Sequence, residues 1–433
     1  MNLLRHLTGH RWTALIVFTL LSLACFVDSF VMGALLTPIK ESLHTTDEQL
    51  GRLNMVTILI YILAMPVAGY VGDRHPRKWY IFFSLLVWSV GAVGSGYADS
   101  FDALLVWRAL LGAGTGIFSA LAPGWLVDIF PATQRSVALA VLMSTGQVAA
   151  WLAYHFGGLV AAHSGWQEAF IVTGLPGFVL LPFVALLREP RRGEAEGLTA
   201  EEIAHPTWRE VTALFQDNAF LFYLVAYALR MVGVSGLFIW GAVLFHRQYG
   251  VDNQQAVDFV GGAYLFAGAP GIFLGGYLAG RLARSFSAAY SFWLVGGELL
   301  AAFSFGIVLV TLPGLALAKA LFLTAVFFSG NCWGVIRPLL FQLAPVRSRN
   351  MAFSISLIAE CIGDAFLAAE LIGFTSDHFG IAHALFLVPI SYSAAAIMWA
   401  LLGTLQILRE RRSRQHSGAA ADLSDPSLPE PAV

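Results

Sequence analysis

Ionisable side chains inside long apolar runs are the residues of this sequence most able to do chemistry. A charge at the centre of a membrane-spanning helix costs about 2.5–3.5 kcal/mol on insertion scales, so a partner or a function must offset it. The candidates are Asp28, Arg108, His155, Arg230, Glu298, Glu360, Asp364 and Glu370. Such residues form proton relays and substrate sites in membrane proteins, and we take them as the candidate functional residues.

Three of the acids are candidates for proton coupling. Glu360 and Asp364 are four residues apart, a spacing that puts both on one face of a helix. Two carboxylates so close repel each other when both are charged, which favours proton binding by one of them. Asp28 is the third candidate because it lies within the apolar run 12–36.

A second set of polar residues predicts a substrate site. Arg108 and Arg230 would attract a negatively charged group. The full predicted set is Arg108, Gln147, His155, Arg230, Glu298 and Asn331. Structural roles stay open for several: Arg108 adjoins a glycine stripe and could serve helix packing, Glu298 could join two helices, and the two amides could bond to helix backbone. Lys319 and Arg337 lie near span ends, where their side chains are expected to extend to the membrane interface.

Composition determines what kind of molecule carries these residues. Hydrophobic residues make up 58% of the 433-residue chain and charged residues only 12%, against about 25% charged residues in soluble domains. Runs of about 20 apolar residues are long enough to cross a bilayer as helices. We predict an all-α polytopic membrane protein with twelve transmembrane helices. Their expected ranges are 12–36, 50–71, 79–97, 102–125, 137–162, 167–187, 218–245, 256–280, 288–310, 314–338, 351–374 and 383–408.

Basic residues predict the orientation. Of the 25 Lys and Arg residues, Lys40, Arg52 and Arg247 fall in loops on one side, four lie within spans, and the other 18 share the opposite side with both termini. Positive charge marks the cytoplasmic side, so both termini are expected in the cytoplasm of a plasma membrane, here a bacterial inner membrane.

A short basic phrase occurs twice and indicates an internal repeat. "GYVGDRHPRK" begins at Gly69, and "GYLAGRLAR" begins 207 residues later at Gly276. Both would join the second and third helices of a six-helix unit. The predicted domains are therefore a first half at 1–187, a cytoplasmic linker at 188–217, a second half at 218–408 and a disordered cytoplasmic tail at 409–433. In such repeats the substrate site lies between the halves.

The phrase from Gly69 to Lys78 resembles the signature loop of the major facilitator superfamily. Arg108-x-x-x-Gly112-x-Gly114-x-Gly116 and the pair Asp128 and Arg135 are similar to two further features of that superfamily. The resemblance implies the major facilitator fold. It also implies a gate on the cytoplasmic side, for which the candidates are Gly69, Asp73, Arg74, Arg77, Asp128, Arg281 and Arg284. A role in topology and folding alone is the alternative for Asp73 and Arg74.

Within that superfamily the chain looks most like the spinster group of lysophospholipid and sphingosine-phosphate transporters and their bacterial relatives. "GDRHPRK", "LREPRRG" and "GDA…LIGFTSD" carry this resemblance. The chain departs from the group where Ser29 replaces an Arg, Thr115 a Glu and Glu360 a His.

These observations predict a secondary transporter that works by alternating access and is driven by protons. The expected substrate is a small amphiphilic or organic-anion solute, including a lysophospholipid-like lipid. The sequence has no Walker loop, GxSxG motif or clustered metal ligands, so neither an enzyme, a cofactor nor a metal is predicted. Expected partners are the substrate, protons and membrane lipids, without nucleic acid, and the expected unit is a monomer. A multidrug or metabolite exporter and a non-transporting sensor are the alternatives.

Overall fold

A computed structural model of the chain describes residues 11–72, 75–130, 141–142, 145–190, 208–344 and 349–423. These residues form helices and short connections, with no β-strand among them. We refer to residues 11–187 as the N-part and residues 218–423 as the C-part. The prediction of an all-α membrane protein is confirmed at this level.

The N-part consists of helices of 19 or more residues and one interrupted helix. They are α1 (Arg11–Leu43), α2 (Asp47–Gly72), α3 (Arg77–Ser95), α4 (Phe101–Ile129), α5 (145–164) and α6 (Trp166–Leu186). Helix α5 contains a π-helical turn at Ala153–Gly157 and ends with Gly158–Ser164. A π turn changes the direction in which the following side chains point, and such turns occur often at functional sites.

A linker helix at Trp208–Gln216 precedes the C-part. The C-part helices are α7 (Asn218–Tyr249), α8 (Asn253–Leu282), α9 (Ala289–Thr311), α10 (Leu315–Leu343), α11 (349–379) and α12 (Ile381–Ala384 continuing as Leu387–Leu423). Helix α11 is Arg349–Cys361, a π-helical stretch Ile362–Glu370, and Leu371–Phe379. Helix α8 has a π turn at Tyr264–Gly268.

Ten helices in the described part of the chain are long and apolar enough to cross a membrane. They correspond to every predicted span except the fifth and the eleventh. The described residues 145–164 and 349–379 are nevertheless helical, and both contain π-helical stretches. The observed helices also extend past the predicted bounds, for example α1 to Leu43 and α7 to Tyr249.

Close contact between α2 and α4 depends on the glycine stripe that the sequence analysis noted. A Cβ atom added at Gly112 would lie 2.2 Å from the carbonyl oxygen of Thr57, a distance that real Cβ atoms do not reach. Arg108 lies one turn before Gly112 on the same helix and is therefore held at a tightly packed position.

The buried cores differ between the two ends of the helix bundle. At the end that holds the α1–α2 connection, one continuous core contains residues of both parts, among them Leu35, Phe170, Trp240 and Phe322. At the end that holds the linker helix, one core contains only N-part residues and another contains only residues of the linker helix and the C-part. We call these the α1–α2 end and the linker end. Among the described residues, the two parts are therefore packed into one core at the α1–α2 end only.

Candidate functional site

A cluster of charged residues joins the N-part to the C-part at the α1–α2 end. Asp47, the first residue of α2, is only 1% exposed. Its carboxylate accepts hydrogen bonds from Lys40 Nζ at 2.6 Å, from both terminal nitrogens of Arg247 at 2.6 and 2.9 Å, and from Ser376 Oγ at 2.7 Å. We call Lys40, Asp47, Arg247, Ser376 and Asp377 the Asp47 cluster. A carboxylate held by two cations and a hydroxyl is a strong, geometrically specific contact.

Asp377 of α11 completes this cluster by capping α2. Its two carboxylate oxygens accept the backbone N–H groups of Asp47 at 2.9 Å and Glu48 at 2.7 Å. The first N–H groups of a helix lack intrahelical partners and carry partial positive charge, so an acid from another element is favoured there. The α2 start also has its own capping box, in which Thr46 and Gln49 exchange side-chain hydrogen bonds to backbone N–H.

Helices α2 and α11 touch backbone to backbone below the Asp47 cluster. A Cβ atom added at Gly51 would lie 2.2 Å from the carbonyl oxygen of Ala369, and one added at Gly373 would lie 2.4 Å from that of Asp47. Arg52 contacts Glu370 across the same seam at 3.8 Å. The seam is closed along this part of its length.

A second seam joins α5 of the N-part to α7 and α8 of the C-part. His155 Nδ1 lies 2.9 Å from Asp258 Oδ1, and Gln254 Nε2 donates to the same oxygen at 3.0 Å. Tyr154 donates a hydrogen bond to the carbonyl oxygen of Phe238. Gln147 faces Gly268 of α8. The predicted candidates Gln147 and His155 therefore lie where the two parts meet, with His155 paired to an acid that the sequence analysis did not single out.

Asp28 and Arg108 are brought together inside the N-part. The Asp28 carboxylate accepts hydrogen bonds from Thr173 Oγ1 at 3.0 Å and Trp88 Nε1 at 3.3 Å. Arg108 Nη1 lies 3.8 Å from Asp28 Oδ2, and its guanidinium is 5.3 Å from the Phe170 ring. Both charged side chains are at most 2% exposed. A charge pair this deeply buried is out of reach of a solute in the conformation observed.

The C-part contains a matching buried pair. Arg230 Nη1 lies 2.8 Å from Glu298 Oε1, and Nη2 donates to the carbonyl oxygen of Ser329 at 2.7 Å. Neither charged side chain is exposed. Asn331 accepts a 2.5 Å hydrogen bond from Trp293 Nε1, so it joins α9 to α10. These contacts lie within the C-part and support the alternative that Glu298 links helices.

The two acids of α11 both face α7. Glu360 Oε2 accepts the Tyr227 hydroxyl at 2.6 Å, and Asp364 accepts the Ser235 hydroxyl. Glu360 also lies within electrostatic range of Tyr61 of the N-part. A hydroxyl donates to a carboxylate and can instead accept from a carboxylic acid, so both contacts can persist when a proton is gained or lost.

The predicted gating residues are only partly described. Asp73 and Arg74 lie outside the described residues. Arg77 Nη2 lies 2.6 Å from Asp128 Oδ2, which joins the start of α3 to the end of α4 within the N-part. Gly69 has open space around its Cα. Arg281 and Arg284 are exposed, and Arg281 lies 4.7 Å from the ring of Tyr277.

Glu189 is a further residue at the linker end that the sequence analysis did not identify. Its two carboxylate oxygens accept the backbone N–H groups of Arg77 at 2.9 Å and Lys78 at 2.7 Å. Helix α3 begins at Arg77 after Pro76, which supplies no side-chain cap. Glu189 therefore provides the N-terminal cap of α3. The segments "GDRHPRK" and "LREPRRG" are joined physically by this contact.

No group of three or more His, Cys, Asp or Glu residues is placed to hold a metal ion within the described ranges. The buried pairs Asp28–Arg108 and Arg230–Glu298 each lie within one part, whereas the charged contacts between the described residues of the two parts, including those of the buried Asp47, lie at the α1–α2 end.

The family follows from comparison with known proteins. The model of the Major Facilitator Superfamily matches residues 17–368. The chain belongs to this superfamily. Its members are membrane transporters, and ten apolar helices agree with an integral, multi-pass membrane protein.

Spinster proteins are among the similar relatives, as the sequence resemblance predicts. Protein spinster of Drosophila melanogaster is 26% identical over 368 residues, which are 82% of this chain and 60% of that protein. Protein spinster homolog 1 of Mus musculus is 28% identical over 391 residues, covering 85% of this chain and 74% of that protein. The chain thus spans about three fifths of the length of the Drosophila relative.

Solved structures show the same fold. A bacterial homologue of the human lysosomal transporter Spinster, in an inward-facing and unoccupied conformation, has a TM-score of 0.78 at 21% identity, over 93% of this chain and 97% of that one. A D-xylose–proton symporter has a TM-score of 0.73 at 16% identity, over 89% and 96% of the two chains. At identities this low, the structural similarity shows the fold alone. The substrate and any coupling ion have to be inferred from the residues of this chain.

Proposed function

We propose that this superfamily member is a secondary, non-enzymatic transporter that moves a small amphiphilic or organic-anion solute by alternating access. Twelve spans would form two six-helix halves, 1–187 and 218–408, joined by the linker 188–217 and followed by the tail 409–433. Ten apolar helices and the helical segments 145–164 and 349–379 support this count. A lysophospholipid-like lipid is one such solute, and the similarity to Spinster proteins favours it.

Orientation follows from the distribution of basic residues. The linker end holds the linker helix and the signature loop residues, including Arg77, Lys78, Arg281 and Arg284. The excess of Lys and Arg there marks it as the cytoplasmic side of a plasma membrane, with both termini inside. The α1–α2 end would then face outward. The proposed transporter works as a monomer surrounded by membrane lipids.

The observation that carries the proposal is the different packing at the two ends. The Asp47 cluster and one shared core close the outer end, whereas the described residues of the N-part and C-part have separate cores at the cytoplasmic end. Closure at one end only is the geometry of an inward-facing carrier. An outward-facing state would require the Asp47 cluster to separate and the cytoplasmic ends to meet.

Proton coupling is assigned to Asp28, Glu360 and Asp364. Each carboxylate lies within a span and accepts a hydroxyl hydrogen bond, from Thr173, Tyr227 and Ser235 respectively. A coupling acid must be able to exist both charged and neutral, and a hydroxyl partner permits both states. Asp28 also has Arg108 beside it, so a proton gained by Asp28 would release Arg108 from its counterion.

The signature loop is proposed as a cytoplasmic latch. Gly69, Asp73, Arg74, Arg77 and Asp128 belong to it in the first copy, and Arg281 and Arg284 in the second. The Arg77–Asp128 pair lies within the N-part and is intact while the outer end is closed. Separation of the two parts does not by itself break this pair, so the latch must act through other residues of the loop or through movement of α3 against α4.

Purified protein in sealed proteoliposomes tests the proposal. Lysophospholipids, sugar acids and cationic dyes should be screened for uptake with and without an imposed pH gradient. Gradient-dependent accumulation of an anionic or amphiphilic solute is the expected result. Accumulation of cationic dyes alone would identify a multidrug exporter, and binding without any flux would identify a sensor.

A further inference from the structure

Arg337 of α10 differs from Arg108 and Arg230, two other arginines inside the predicted spans. Arg108 and Arg230 are at most 1% exposed, and each lies beside an acid of its own part. Arg337 is half-buried and forms no hydrogen bond or ion pair with any residue that the structure describes. It lies six residues before the end of α10 at Leu343, about 9 Å along the helix axis at 1.5 Å per residue.

The Arg337 side chain lies beside α11 and near Tyr227 of α7. Its guanidinium is 5.3 Å from the ring of Phe353 on α11. Trp333, one helical turn earlier on the same face of α10, packs against Tyr227 of α7. Arg337 also lies within electrostatic range of Glu360, which Tyr227 holds, without forming an ion pair with it. The cation therefore has aromatic surface beside it and an acid nearby, but no direct counterion.

We propose that Arg337 binds the negatively charged head group of an amphiphilic substrate in the inward-facing state. The inference rests on the proposed function and adds the residue that recognises the anion. An arginine fork suits a phosphate or carboxylate because it offers two parallel N–H donors. The rings of Phe353 and Trp333, which are only partly buried, supply apolar surface for the first part of the attached chain.

The charge of Glu360 should affect how tightly Arg337 binds an anion. A carboxylate near the bound anion repels it when charged, so anion binding and proton binding at Glu360 favour each other. Protonation of Glu360, or its replacement by Gln, should therefore strengthen binding at Arg337. A purely structural role of Arg337 predicts no such change.

The test measures binding of dodecyl phosphate to the full-length protein in nanodiscs by calorimetry. Arg337→Gln should weaken binding at least about tenfold, as expected for loss of a charge-assisted hydrogen bond, and Arg337→Lys should retain part of the affinity. Lys319→Gln is the matched control, because Lys319 is on the same helix, lies 5.0 Å from the Phe259 ring and should not affect binding. Glu360→Gln should tighten binding.

Equal affinity in wild type and in both Arg337 variants would overturn the inference, as would displacement of dodecyl phosphate by an equal concentration of inorganic phosphate. If Arg337→Gln is not recovered folded, the affinities of Arg337→Lys and Glu360→Gln for dodecyl phosphate still test the inference. The inference and the proposed function fail separately. Normal flux with binding that is independent of Arg337 removes only the inference, whereas Arg337-dependent binding without flux removes only the transport function.

Discussion

Asp47 and Arg247 form a two-pronged ion pair between residues 200 positions apart in the chain. Arg247 Nη1 lies 2.6 Å from Asp47 Oδ2, and Nη2 lies 2.9 Å from Oδ1. The pair joins the first turn of α2 to the last turn of α7, hence the N-part to the C-part. A bidentate, charge-assisted contact of this kind fixes both the distance and the orientation of its two partners.

The buried pair of the C-part should be essential for stability. Arg230→Met leaves Glu298 charged and without a partner inside the protein, a change that costs about 3–5 kcal/mol in comparable buried pairs. The thermal unfolding of the purified protein in detergent should show a large loss of stability. Arg230→Met combined with Glu298→Leu removes both charges and should recover much of that loss. A double variant no more stable than the single one would mean that the pair has a role beyond charge compensation.

Capping of α3 by Glu189 gives a second stability prediction. Glu189→Ala removes the acceptor for two backbone N–H groups, and loss of a helix cap typically costs about 0.5–2 kcal/mol. Glu168→Ala is the control, because Glu168 is an exposed acid in the first turn of α6. Unfolding temperatures that are the same for the two variants would show that Glu189 does not stabilise α3.

Acidification should weaken one contact at the linker end. The Arg409 guanidinium beside Asp217 holds the pKa of that carboxyl below its usual range, and Asp217 also accepts the Ala219 N–H at the start of α7. A depressed pKa in the folded state contributes stability above the unfolded value of about 3.9. That contribution is lost as pH falls through the lower, folded value.

The check compares wild type with Asp217→Asn in thermal unfolding at several pH values. Wild type should be the more stable at pH 7, by a small margin because the pair is partly exposed to solvent. The difference should shrink as pH falls below about 3.9 and disappear once pH is below the lowered pKa of Asp217 in the folded protein. A difference in stability that stays constant with pH would show that the ionised Asp217 carboxylate does not stabilise the folded protein through Arg409.

Proton coupling should depend on two acids. Glu360→Gln and Asp28→Asn should each abolish accumulation driven by a pH gradient, because neither amide can gain and lose a proton. Exchange of labelled for unlabelled substrate moves no net proton and should continue. Asp102→Asn, an exposed acid in the first turn of α4, is the control and should accumulate substrate normally. Gradient-driven accumulation by both Glu360→Gln and Asp28→Asn would assign these acids to structure or substrate binding.

The helices could be predicted from the sequence because their signal is local. Apolar runs long enough to span a bilayer correspond to the ten helices found, and polar residues such as Asp217 mark their ends. The π-helical stretches of α5 and α11 could not be predicted in the same way, because they depend on packing between helices. The close packing of α4 at Gly112 could be predicted, because Gly112, Gly114 and Gly116 form a stripe of glycines in the sequence.

The candidate site was less predictable because its contacts are distant in sequence. Asp47 lies just before the predicted second span, which begins at residue 50, and its partners Arg247 and Ser376 lie 200 and 329 residues away. One signal was present: Lys40, Arg52 and Arg247 are the sparse cations of the predicted outer loops, and all three take part in charged contacts at that end. The burial of Arg108 beside Asp28 and of Arg230 beside Glu298 likewise depends on partners 80 and 68 residues away, whereas their predicted role in attracting an anion stays a prediction.

Distances between spin labels at the two ends test the central claim of alternating access most directly. Labels at Glu41 and His378 report on the α1–α2 end, and labels at His75 and Arg284 report on the linker end; all four positions are exposed. In a cysteine-free background, Asp47→Asn weakens the Asp47 cluster. It should lengthen the Glu41–His378 distance and shorten the His75–Arg284 distance, while Asp102→Asn should change neither. Unchanged distances in Asp47→Asn, or changes in the same direction at both ends, would contradict the account.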